Sequence, residues 1–228
     1  MNLPLFSTEG FEFSLRWFHY LAGITWIGLL YYFNFVQGEW FKETDASAKG
    51  AAVQKLVPRA LWWFRWGAMF TFITGVSILM NKGHMAGFEV YTSSWGIFIL
   101  TGALLGTFMF LNVWMIIWPN QQIVIAAANG KKHPNAAACG AKAALASRTN
   151  TLFSIPMLFF MGAASHLPLN VDYDYNGWAL SGVLGAIICG LQLNAVCGKP
   201  GPMASVRGVI TSGFVLIAVL YLAMEALT

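Results

Sequence analysis

Mostly apolar runs, each close to the roughly 20 residues needed to cross the hydrocarbon core of a bilayer, recur along the chain. They cover 13–37, 59–80, 94–118, 150–167, 178–196 and 206–227. Short polar stretches separate most of them. The pattern predicts an all-α, polytopic membrane helix bundle of six transmembrane helices in a single domain over 1–228. Pro119 and Pro168 read as stops for the third and fourth helices. The segment 119–149 between them reads as a cytoplasmic Ala-rich loop, with short interfacial helices broken at Asn129-Gly130 and His133-Pro134. In the third helix, Gly102 and Gly106 form a G-x-x-x-G pattern, which allows close helix approach. Ahead of the first run stand Glu9 and Glu12 without a basic region. That run therefore reads as a retained helix and not as a signal peptide.

Composition sharpens this picture. Only 10% of residues are charged and 57% are hydrophobic, whereas soluble domains carry roughly 25% charged residues. The 18 Phe, 10 Trp and 7 Tyr suit aromatic belts at two membrane–water interfaces. A net charge of +4 is no nucleic-acid signal here, because the basic residues sit in short segments between apolar runs. Lys42, Lys49, Lys55, Arg59, Lys131, Lys132, Lys142, Arg148, Lys199 and Arg207 all fall on one side, against Arg16 and Lys82 on the other. The positive-inside rule then predicts both termini on the periplasmic side of a bacterial cytoplasmic membrane.

Soluble catalytic patterns are missing from the sequence: there is no G-x-S-x-G, P-loop, Rossmann glycine pattern or H-E-x-x-H. The three cysteines form no C-x-x-C, and no C-x-x-C-H is present for covalent c-type haem. Chemistry must come from ionisable residues in or near the helices. His19, His84 and His166 are predicted near the outer face, and His133 on the inner side. His19 and His166, on antiparallel helices at matched depth, offer the two imidazoles of an axially ligated b-type haem. A metal held by His19, His84 and His166, with Asp172 or Asp174 nearby, is an alternative. The bland alternative is interfacial histidines bonded to backbone or water. Arg16, one turn before His19, either pairs with an anionic group or snorkels to lipid phosphate. Arg65 has no carboxylate available within the helices. The polar residues Asn112, Asn120, Gln121, Gln122, Asn150 and Thr151 read as packing and capping groups.

Three stretches together resemble the membrane-embedded N-terminal domain of bacterial membrane-bound urate oxidases of the PuuD type. They are RWFHYLAGITWIGLLYYFNFVQ at 16–37, NVWMIIWPNQQ at 112–122 and SRTNTLFSIPMLFFMGAASH at 147–166. Shorter patterns are similar to helices of HemJ-type protoporphyrinogen oxidases: His19, Trp26 and Gly28, and Arg148, Asn150 and Pro156. CopD-type copper-resistance proteins share a loosely similar histidine-bearing helix. The resemblance implies a urate-oxidase-like membrane redox subunit, in which His19 and His166 ligate haem b. Arg16 would neutralise a propionate, and Trp17 and Trp26 would pack near the macrocycle. It further implies electron exchange with a cytochrome c on a separate polypeptide.

Two readings from other classes stand beside this one. The first is a non-catalytic subunit docked in a larger respiratory or other membrane complex. The second is a copper or small-solute membrane protein, against which the scattered Met residues argue. Expected partners are the lipid bilayer, a cytochrome c or respiratory complex, and a second copy of the chain, with no nucleic acid.

Overall fold

The computed structural model describes residues 3–172 and 174–228. Six helical rods account for nearly all of them. The first, α1, covers 8–43 as an α-helix Thr8–Tyr31, a π-helical stretch Tyr32–Gln37 and a last turn Gly38–Glu43. It is followed by α2, Ala46–Ala86, and α3, Ser94–Ala128. The others are α4, Ala136–His166, α5, Gly177–Cys197, and α6, Val206–Leu227. Side-chain caps mark the starts. Ser7, Asp45, Ser93, Asn176 and Ser205 each accept a hydrogen bond from a first-turn N–H. Gly87 and Gly130, at φ 83° and 88°, take the left-handed conformation that ends α2 and α3.

Successive rods run antiparallel. One end of the bundle, the terminal end, gathers both chain termini; there the Asp172 N–H donates to the Thr228 carbonyl at 2.8 Å. The other, the basic end, gathers the Lys- and Arg-rich connections. Helix α1 pairs along α2, α3 pairs along α4, and α5 and α6 pack on the α3–α4 pair. Gly102 makes the α3–α4 approach possible: a Cβ there would stand 2.9 Å from Met161 Cγ and 3.3 Å from the Met157 carbonyl oxygen. The expected G-x-x-x-G contact is therefore real, and the partner it receives is α4. One hydrophobic cluster joins all six rods, from Trp26 and Leu30 through Phe64, Phe98 and Phe160 to Leu184 and Leu220.

Two expectations are corrected. Helix α3 does not stop at Pro119: that proline follows directly on the π-helical stretch Asn112–Ile117, and the rod continues through Trp118–Ala128. Nor is 119–149 a loop. Helix α4 begins at Ala136, and only the break around Asn129-Gly130 and His133-Pro134 interrupts the rods. Hydropathy marks the stretch that suits lipid, whereas helical hydrogen bonding continues past it.

Four rods are long and apolar enough to cross a membrane: α2, α3, α5 and α6. The other two are long but carry their polar residues inward. In α4, Thr149, Asn150, Thr151 and Ser154 are fully buried, and in α1 so nearly are Asn34 and Gln37. Helix α4 lies against α1, α3, α5 and α6, so its polar groups face protein.

Candidate functional site

The terminal end holds three of the four histidines, His19, His84 and His166. His19 is half-buried between α1 and α2, with Nδ1 3.0 Å from Thr74 Oγ1. The Thr74 hydroxyl has its own acceptors, the Phe70 carbonyl at 2.6 Å and the Thr71 carbonyl at 3.1 Å. Its proton goes to a carbonyl, so its oxygen accepts from His19 Nδ1–H. Such an arrangement favours the tautomer with its proton on Nδ1, in which Nε2 carries the lone pair that a metal-ligating histidine uses. Gly75 provides room for the ring: a Cβ there would lie 3.0 Å from His19 Cε1.

His166 is the last residue of α4 and is exposed. A hydrogen bond of 3.0 Å between Tyr31 and Ser154 sets the register of α1 against α4. His19 lies twelve residues from Tyr31, and His166 twelve from Ser154, towards the same end. The two imidazoles thus share one depth, but each has different surroundings. Arg16 is paired with Glu12 at 2.5 Å on the exposed face of α1. Trp17 is exposed and packs on Phe18, whereas Trp26 is buried against Gly67, with its Nε1–H unpartnered. His84 is exposed near the end of α2. Among the described residues no three His, Cys, Asp or Glu side chains gather to hold a metal ion. The alternative ligand set of His19, His84 and His166 with Asp172 or Asp174 is therefore not assembled.

A second polar region, near the basic end, goes beyond what the sequence suggested. Asn112 donates to Asn150 at 2.8 Å and to Gln192 at 3.0 Å, and Gln192 donates back at 2.6 Å. Asn150 also donates to the Met109 carbonyl at 2.9 Å. Across α1 and α4, Asn34 donates to Ser147 at 2.8 Å, and Arg148 reaches Glu39 at 3.5 Å. Lys42 Nζ donates to both oxygens of Glu39 at 2.8 Å. The hydrogen bond from Lys42, with a smaller contribution from Arg148, holds the Glu39 carboxyl below the usual glutamate range. Arg65 lies over the Trp118 ring at 3.8 Å and the Trp114 ring at 4.9 Å, so its charge rests on indole faces instead of a carboxylate.

Two π-helical stretches supply key members: Tyr32–Gln37 carries Asn34 and Gln37, and Asn112–Ile117 carries Asn112 and Trp114. Such stretches are frequent at functional sites. Four polar atoms here are buried without a partner: Gln37 Oε1, Arg65 Nε, Trp114 Nε1 and Arg148 Nη1. Gln37, Glu39 and Ser147 escaped notice in the sequence. The available signal was the spacing of Asn34 and Gln37, two amides one turn apart in an apolar helix.

No curated protein and no solved structure is significantly similar to this chain. A family match does exist, and it runs from the end of α2 through α6, taking in the Asn112–Asn150–Gln192 network and Arg148 but not His19. The sequence model of that family, urate oxidase N-terminal, matches residues 84–225, and the chain belongs to it.

Proposed function

We propose that this chain is a membrane redox subunit of urate-oxidase type, carrying a b-type haem at the depth of His19 and passing electrons from a reduced substrate to a cytochrome c. The observation that carries the reading is the state of His19. Its Nδ1 lies 3.0 Å from Thr74 Oγ1 and its ring is accommodated by Gly75, so Nε2 would be the ligating atom. A haem iron bound there would supply one-electron chemistry at a potential set by ligands, burial and nearby charge. His166, at the same depth, is the natural second ligand, and Trp26 offers an interior indole below His19. Arg16 would have to exchange Glu12 for a propionate.

In this reading all six rods cross a bacterial cytoplasmic membrane, with the terminal end in the periplasm. The distribution of basic residues supports that orientation. Electrons would then leave on the side where a soluble cytochrome c operates.

The test is urate-dependent reduction of added cytochrome c by membranes containing the protein. Wild type should support it, and His19→Ala should abolish it at equal protein level. Equal rates for wild type and His19→Ala would overturn the reading.

A further inference from the structure

Towards the basic end, a cluster of indoles between α2 and α3 encloses two hydrogen-bond donors, Arg65 Nε and Trp114 Nε1, that find no acceptor among the described residues. The Arg65 guanidinium lies 3.8 Å from the Trp118 ring centre, 4.9 Å from that of Trp114 and 5.4 Å from that of Trp66. Trp118 is the nearest of the three and the one closest to the basic end, so the Arg65 side chain leans towards that end. Indole faces hold the charge but accept none of its N–H groups in the way an oxygen does. The ion pairs of the described residues engage Arg16, Lys42 and Arg148, and none involves Arg65 or the exposed Arg59. An open cleft of about 400 Å³ adjoins the cluster, lined by Pro58, Arg59, Trp62 and Trp63. Pro58, Trp62 and Arg65 stand at i, i+4 and i+7, which puts Arg65 about one turn below the cleft on the same side of α2. The Trp62 ring packs on Trp66 at 6.3 Å and Trp66 on Trp114 at 5.8 Å, so an unbroken row of indoles joins cleft and cluster. Below them the same stripe continues as Ile73, Val76 and Met80, all exposed.

We infer that this side of α2 binds an anionic phospholipid from the leaflet at the basic end, its phosphate in the cleft between Arg59 and Arg65 and an acyl chain along Ile73, Val76 and Met80. The two arginines are about 9 Å apart along the helix, and the lean of Arg65 brings its charge nearer to Arg59. A phosphate supplies what the cluster lacks, negative charge and several acceptor oxygens, and it suits the guanidinium fork. Indoles belong at headgroup level, and by holding Arg65 in place they reduce the ordering cost of binding. A soluble anion would answer the two cations and leave the apolar stripe bare. A zwitterionic lipid would cover the stripe and bring a cation of its own beside Arg59. Basic pockets between transmembrane helices are places where anionic headgroups bind.

The experiment is native mass spectrometry of the full chain in detergent micelles, titrated with dioleoylphosphatidylglycerol or dioleoylphosphatidylcholine. Wild type should retain one phosphatidylglycerol, held about twentyfold more tightly than phosphatidylcholine. Arg65→Gln should reduce that preference to about twofold, and Arg65→Lys should restore only part of it, because an ammonium lacks the planar fork. Arg59→Gln should weaken phosphatidylglycerol binding about fivefold. Trp114→Phe keeps the ring and loses only the N–H, for a loss of about threefold. Arg207→Gln removes an exposed cation of α6 at the same end and should leave the preference unchanged. Excess inorganic phosphate should not displace the lipid. Equal retention of the two lipids by wild type overturns the inference. So does an equal loss of preference in Arg65→Gln and Arg207→Gln, which would leave a diffuse basic surface. Displacement by inorganic phosphate overturns it as well, by making the site one for a soluble anion. If Arg65→Gln fails to fold, Arg59→Gln and Trp114→Phe decide: an unchanged preference in both contradicts the site. The readout needs neither haem nor turnover, so it stands or falls apart from the redox reading.

Discussion

At the terminal end, Arg16, Trp17, His84 and His166 lie exposed, and His19 alone among the candidate ligands has an interhelical side-chain partner. At the basic end, Asn34, Asn112, Asn150, Ser154 and Gln192 are tied across four helices. The difference follows from depth and from neighbours. Near a membrane surface, long polar side chains can find water or lipid headgroups, so their geometry is left open. Amides in the middle of a bundle have only each other, and an unpaired one is costly. The basic end is therefore built as a fixed framework, and the terminal end as a surface with one oriented histidine.

The sharpest way to break this contrast is at Asn150. Asn150→Leu removes a bond to Asn112 and one to Met109, and should destabilise the folded bundle by about 2 kcal/mol. Reversible unfolding in mixed micelles measures it. A cost near zero would mean that the network is ornamental to stability. Next comes Gly102→Val. Its side chain would strike Met161 and the Met157 carbonyl, so a loss of about 1–3 kcal/mol in the same assay is expected. Gly106→Ala, where the nearest atom is Met157 Sδ at 3.4 Å, should be far milder.

At the terminal end the expected effects on stability are smaller and those on ligation larger. Thr74→Val removes the acceptor for His19 Nδ1–H and should lower haem affinity by roughly 10–100-fold, the usual effect of losing an orienting partner. Titration of haem into protein prepared without it would show it. Arg16→Gln breaks only an exposed pair and should cost less than about 1 kcal/mol. A larger loss there would show that the terminal end is as fixed as the basic one.

The smallest effect concerns pH. Glu39 has a lowered carboxyl pKa, so its contribution to holding α1 is complete above the ordinary glutamate value of 4.5. That contribution disappears as pH falls through the lower, folded value. Melting temperature should be flat from neutrality to that range and then decline slightly more in wild type than in Glu39→Gln.

Much of this was legible in the sequence, for reasons that differ between segments. Helix α6 was expected at 206–227, and Val206–Leu227 is what forms; α5 differs by one residue at each end. Both are apolar stretches that end where the helix ends. In α3 and α4 the helix outlasts the apolar stretch, so hydropathy misplaced the boundary by ten residues or more. His19 stood out because it is ionisable within an apolar helix. The pairing of Asn34 with Ser147 did not, because its members lie 113 residues apart and neither is remarkable alone. Arg148 was read for the topology its charge reports and for its place beside Asn150 and Pro156, and neither reveals its buried Nη1.

The most direct test of the central claim is the reduced-minus-oxidised visible spectrum of the purified protein, with a pyridine haemochrome assay for stoichiometry. The account predicts a b-type spectrum that is lost in His19→Ala and weakened or shifted in His166→Ala. A folded protein that stays colourless when expressed with excess haem would contradict it.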